Sequence, residues 1–123
     1  MKTLLVTPAP AGSVHFARLL GAKCGEPIMV ATECAQALRK VARDTPGLVI
    51  VDEDLRQVSP LEFIRQLLAL NAFVNVAVIS RLSEERFHEV YEGLGVLARL
   101  PPRPGRRDAL ALLARCRQIE ASV

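Results

Sequence analysis

Apolar residues along the chain fall into five short runs, and each is followed by a stretch in which apolar positions recur at helical spacing. The first run, TLLVT at residues 3–7, stops at Pro8, with Pro10 and Gly12 close behind, and predicts a buried strand entering a loop. Ser13 then stands as the N-cap of a helix carrying Val14, Phe16, Ala17, Leu19 and Leu20, which ends between Gly21 and Gly25. Ile28 to Ala31 predict a second strand. Thr32 is placed to cap the next helix, on which Ala35, Leu38 and Val41 repeat until Asp44, Thr45, Pro46 and Gly47 stop it.

Leu48 to Val51 form the third apolar run, and the polar stretch from Asp52 to Val58 leads to Ser59. Ser59 with Pro60 behind it and Glu62 three residues on is a capping box with proline at the first helical position. This predicts a helix to about Leu70 that buries Phe63, Ile64, Leu67 and Leu68. Val74 to Ile79 predict a fourth strand, and Ser83 caps a shorter helix to about Glu92. Residues 96–100, VLARL, predict the fifth strand. PPRPG makes a turn, and Ala109, Leu110, Leu112, Leu113, Cys116 and Ile119 mark the buried side of a last helix.

Strands this short and apolar, each followed by a helix, pack as one parallel sheet with helices on both faces, because every crossover helix must lie on a face and hide apolar residues there. The expected fold is a doubly wound (βα)5 three-layer α/β sandwich with a five-stranded parallel sheet. A length of 123 residues is expected to form a single domain, 1–123. Functional groups in such sheets gather at the carboxyl ends of the strands. Those ends are the loops Thr7 to Gly12, Asp52 to Ser59, Ser80 to Ser83 and Pro101 to Gly105.

Composition narrows the chemistry. Half of the residues are apolar and 24% are charged, as in an ordinary folded globule. No apolar run approaches the roughly 18–20 residues of a membrane-spanning helix, and MKTLLVTPAP is too short for a secretory signal, so a cytoplasmic location is expected. Cys24, Cys34 and Cys116 show no C-x-x-C spacing and are expected to be reduced thiols. The net charge is +3, and 13 of the 16 cations are arginine. Four Phe, one Tyr and no Trp leave few platforms for stacking bases, so a nucleic-acid partner is not expected. His15 and His88 lack partners at catalytic or metal spacing. G-x-S-x-G, G-x-G-x-x-G and P-loop motifs are absent, and the chain is not expected to be an enzyme.

The segment LVIVDEDLRQVSPLEFIRQL, residues 48–67, resembles the response-regulator receiver domain (CheY-like), in which an apolar strand ends in a phosphate-accepting aspartate. The resemblance runs along the whole chain and implies a flavodoxin-like sheet of strand order 2-1-3-4-5. It places Asp52 at the phosphoacceptor position, Ser80 where receivers carry Ser or Thr, and Pro101 where they carry a Lys-Pro pair. It further assigns Thr7, Pro8, Asp54, Arg81 and Leu100 to the pocket.

Against that pattern, Thr7 and Pro8 replace the acidic pair that helps to hold Mg²⁺. Leu100, or Pro102 in a shifted register, replaces the lysine. Leu97 or Arg99 replaces the aromatic residue on the last strand, and Arg81 replaces a small one. The expected function is therefore an atypical receiver, or pseudo-receiver, that acts in two-component signalling as a protein-interaction module without conventional Mg²⁺-dependent aspartyl phosphorylation. No cofactor is expected, and at most a weak Mg²⁺ site at Asp52 and Asp54. Arg81 is expected to fold over and pair with Asp52.

The partner face implied by the resemblance is the fourth helix, fifth strand and fifth helix, with Arg86, Tyr91, Arg99, Arg103, Arg106 and Arg107. Its partner would be a histidine kinase, an output domain, another signalling protein, or a second copy of the chain. Two alternatives stand beside this reading. One is a response regulator phosphorylated on Asp52 by a histidine kinase, using Asp52 with Glu53 or Asp54 as a reduced metal site. The other is a small-molecule or nucleotide-binding module, with the Thr7 to Gly12 loop and the first helix N-terminus as an anion site.

Overall fold

The computed structural model describes residues 1–121. Its strands are β1 (Thr3–Val6), β2 (Met29–Ala31), β3 (Leu48–Asp52), β4 (Asn75–Ile79) and β5 (Ala98–Leu100). They alternate with α1 (Val14–Cys24), α2 (Cys34–Asp44), α3 (Pro60–Leu70), α4 (Glu84–Val90) and α5 (Arg106–Ala121). All pairings are parallel, and the sheet order is β2-β1-β3-β4-β5, as expected from the sequence.

Alternation along the central strands builds two cores, one on each face of the sheet. Leu4, Val6, Val49, Val51, Val76 and Val78 face α2, α3 and α4 and pack with Val41, Phe63, Ile64, Leu67 and Phe87. Leu5, Leu48, Ile50, Ala77 and Ile79 face α1 and α5 and pack with Phe16, Leu20, Leu112, Leu113 and Cys116. Both faces are covered, so β3 reads as a continuous apolar run. Among the described residues, no helix is long and apolar enough to cross a membrane.

Ser59 caps α3 as the capping box predicts, its hydroxyl accepting from the Glu62 N–H at 3.2 Å. Ser83 caps α4 in the same way through Arg86 N–H at 3.1 Å. The other two expected caps are not made. A 3-10 turn, Pro10–Ser13, runs directly into α1, and the buried Ser13 side chain accepts no capping bond. At α2 the N-cap is Glu33, and the Thr32 N–H is satisfied instead by Gln36 Oε1 at 3.0 Å.

The buried stripe of α2 is Cys34, Ala37 and Val41, with Ala35 outside. Val14, Leu110 and Ile119, expected on buried helix faces, are exposed. In α4 the helix ends at Val90, two residues short of the expected Glu92, with the buried Tyr91 as its C-cap. The expected strand at 96–100 is regular only from Ala98, although Leu97 N–H still donates to the Val76 carbonyl at 2.7 Å.

Candidate functional site

The carboxyl ends of β1, β3, β4 and β5 meet around a cavity of about 240 Å³. Pairing of Leu5 with Ile50 and of Val6 with Val51, continued one step, sets Thr7 beside Asp52. The fully buried Thr7 hydroxyl donates to Asp52 Oδ2 at 2.7 Å and accepts from Ala9 N–H at 3.2 Å. The other Asp52 oxygen, Oδ1, accepts from the Asp54 N–H at 2.9 Å.

Asp52 follows Leu48 and Ile50 on one face, and Glu53 follows Val49 and Val51 on the opposite one. Glu53 therefore turns toward α4, where Ser80 follows Val76 and Val78. Ser80 Oγ donates to Glu53 Oε2 at 2.6 Å, and Tyr91 OH donates to the same oxygen at 3.2 Å. The second Glu53 oxygen accepts from Arg81 N–H at 3.2 Å. Asp54 completes the set, pairing with Arg81 Nη1 at 2.7 Å. That bond, before any longer-range attraction, raises the guanidinium pKa further above its already high value.

Several sequence assignments change here. Arg81 pairs with Asp54, not with Asp52, whose Oδ2 accepts from Thr7 and whose Oδ1 accepts from the Asp54 N–H. Leu100 is buried in the core under α1 and α5 and does not line the cavity. Neither do Pro8 and Pro101, nor Thr7, which is buried and reaches the site only through its bond to Asp52, and the residues after β5 that do are Pro102 and Arg103. Arg103 adopts a left-handed backbone, φ 53°, which is uncommon outside glycine and asparagine. It thus stands on the cavity rim as well as at the end of the basic face.

Tyr91 is only 5% exposed and stacks on Phe87 with ring centroids 4.5 Å apart, so it is a core residue and not part of the partner face. Arg99 is also drawn inward. It donates to Glu84 Oε1 and to the Ser80 carbonyl, each at 3.1 Å, and its side chain is 19% exposed. Arg86, Arg103, Arg106 and Arg107 remain on the surface, Arg86 paired with Glu89 at 2.9 Å. From the sequence, Glu53 stands only as an alternative to Asp54 beside Asp52; its bonds to Ser80, Arg81 and Tyr91 come from the structure. The period-2 alternation that sets Glu53, Ser80 and the α4 aromatic residues on one face is the signal that finds it.

A hard dication requires several oxygen ligands free to turn toward it. Both oxygens of Asp52, both of Glu53 and Oδ1 of Asp54 accept hydrogen bonds from the chain itself. Among the described residues, no group of three or more His, Cys, Asp or Glu is disposed to hold a metal ion.

Burial, and then the nearby Glu53 charge and the bond to it, push the Tyr91 phenol well above its usual range. A raised folded pKa favours folding fully below the unfolded value near 10, and the contribution is lost as pH rises from there toward the folded value. Tyr91 is the only tyrosine, and there is no Trp. Phenolate absorbance is therefore expected to appear only together with loss of the far-ultraviolet helix signal in an alkaline titration. A reversible ionisation near pH 10 with the helices intact would contradict the placement of Tyr91.

No protein-family model matches the sequence, and no curated protein matches it. Solved structures do match the fold. A response regulator receiver domain protein from Clostridium thermocellum superposes with a TM-score of 0.82 at 14% identity, covering 99% of this chain and 98% of that one. The chemotaxis response regulator CheY4 of Vibrio cholerae gives 0.81 at 16% identity, over 94% of this chain and 97% of its own. The N-terminal domain of an uncharacterized protein from Wolinella succinogenes gives 0.82 at 22% identity, over 99% and 98%. The fold is that of the CheY-like response-regulator receiver domains, which is flavodoxin-like.

Proposed function

We propose that this chain is an atypical receiver module of two-component signalling, which binds a protein partner and does not run the Mg²⁺-dependent aspartyl-phosphate cycle. The receiver fold supports the signalling role. One observation carries the atypical part. Thr7 stands where a carboxylate would be needed, and its hydroxyl holds Asp52 Oδ2 at 2.7 Å, while Arg81 and the backbone satisfy the neighbouring acids. A neutral donor against Asp52 recruits no cation, and without one a doubly charged phosphodonor meets uncompensated carboxylates.

Partner docking is assigned to the α4–β5–α5 face. Arg106 and Arg107 are exposed at the start of α5 and Arg103 just before it, a concentration of positive charge suited to an acidic protein surface. On α4, Glu84, Glu85 and Glu89 are exposed, an acidic counterpart to this basic surface in a two-fold-related second copy.

The deciding experiment is intact-mass spectrometry and amide NMR with Mg²⁺ and acetyl phosphate, or beryllofluoride, beside an Asp52→Asn control. The expected result is no phosphate-sized mass increment and no localised shifts around Asp52 and Ser80. An increment that Asp52→Asn abolishes would replace this reading with that of a phosphorylatable response regulator.

A further inference from the structure

The Glu53 carboxylate accepts three bonds from two distant segments: from the Ser80 hydroxyl and the Arg81 N–H at the end of β4, and from Tyr91 at the C-terminal end of α4. Ser80 is 1% exposed and central to this arrangement. Its hydroxyl donates to Glu53 and accepts from Leu82 N–H at 3.0 Å, while its carbonyl accepts from Arg99 at 3.1 Å. Arg99 in turn holds Glu84 at the other end of α4.

A continuous set of bonds thus runs from one carboxylate to both ends of α4. Tyr91 lies at the C-cap of that helix and stacks on Phe87, so its position determines where the last turn sits against the sheet. α4 has only seven residues, too short to hold a position by its own propensity, and is held by the packing of Phe87 and Tyr91 in the core together with these bonds.

We propose that Glu53 is a built-in anionic latch, whose carboxylate holds Ser80, the Arg81 N–H and Tyr91 in one arrangement and so fixes α4 against the ends of β3 and β4. The latch is part of the chain and requires no added group. It deepens the proposed function, on which it rests for its consequence: the α4–β5–α5 face is presented to its partner in a single, constitutive arrangement. A change that withdraws the Glu53 carboxylate releases both ends of α4 and leaves the sheet in place.

The test is amide hydrogen exchange read by NMR, with tyrosine fluorescence and its quenching by acrylamide as a second readout. In Glu53→Ala, exchange at Phe87, Tyr91 and Leu94, whose N–H groups close α4 and the turn after it, is expected to accelerate at least about tenfold relative to wild type. Amides of Val49, Ile50 and Val51 are expected to keep their protection. Quenching of Tyr91 is expected to rise. Tyr91→Phe keeps the ring on Phe87 but loses the hydroxyl, and is expected to loosen the C-terminal end of α4 only.

Unchanged exchange in α4 and unchanged quenching in Glu53→Ala would overturn the latch. If that variant does not fold, Glu53→Gln decides. It keeps the side-chain length but loses the charge and one acceptor oxygen, and α4 exchange equal to wild type in it would overturn the latch equally. Failure here is separable from failure of the proposed function. Phosphate uptake on Asp52 would refute the function with α4 exchange still to be read, and wild-type exchange in the variants would refute the latch with Asp52 still unphosphorylated.

Discussion

Replacing Thr7 with aspartate is expected to destabilise the protein by about 3–5 kcal/mol at neutral pH, the usual cost of a buried charge without a partner. Thr7 is fully buried, and its hydroxyl lies 2.7 Å from Asp52 Oδ2. The new carboxylate would lose the donated hydrogen bond and set two negative charges against each other away from water. Both effects push the folded pKa of the pair upward. The sign follows from that direction. The variant keeps near wild-type stability below the unfolded value of about 4, and the deficit grows as pH rises from there to the raised folded value.

The same substitution sets a further carboxylate directly against Asp52, next to the three that already line the cavity. Mg²⁺ at millimolar concentration is therefore expected to recover part of the lost stability in Thr7→Asp and to leave wild type unmoved. Thermal melts over pH 4–8, with Mg²⁺ or with EDTA, check both statements. A variant as stable as wild type at pH 7 without Mg²⁺ would show that Asp52 is not held by the Thr7 hydroxyl.

Phe63→Ala is expected to cost a further 3–5 kcal/mol for a different reason. Phe63 is fully buried on the α3 side of the sheet, among the residues that join α2, α3 and the central strands. Truncation loses the transfer free energy of the ring and leaves a cavity that the surrounding strands cannot close. Against a total stability of about 5–15 kcal/mol this is a large fraction, equivalent to roughly 10–20 °C in Tm. Phe73 serves as the internal control. It is 94% exposed in the turn after α3, and Phe73→Ala is expected to stay within about 0.5 kcal/mol. Urea titrations followed by circular dichroism compare the two, and a loss below about 1.5 kcal/mol at Phe63 would contradict its place in the core.

Much of the site could be read in advance because strands alternate. Asp52 continues the face of Leu48 and Ile50, and Glu53 continues that of Val49 and Val51, so two adjacent acids point to opposite sides of the sheet. The resemblance to receivers points to Asp52 and Ser80 and admits Glu53 only as a companion of Asp52, while Tyr91, its partner in the structure, falls on the expected partner face. α4 ends at Val90, and Tyr91, four residues after the buried Phe87, lies on the same side as Phe87 and stacks on it in the core, a placement that helical spacing already indicates. Arg103 was missed as a rim residue because a left-handed backbone, not a side-chain pattern, brings it there.

Order of elements, parallel pairing and two covered faces were determined by the sequence itself, through apolar runs too short for helices, the helical periods between them, and the capping box at Ser59. These are local signals, acting over a few residues. Only the tertiary structure decided which donor serves which acid. Thr7 and Asp52 are 45 positions apart, Ser80 and Glu53 are 27 apart, and Tyr91 and Glu53 are 38 apart. Three consecutive carboxylates lie within reach of one arginine, two hydroxyls and a phenol. Composition treats their pairings as equivalent, and strand register, the end of α4 and the turn after β5 make them distinct.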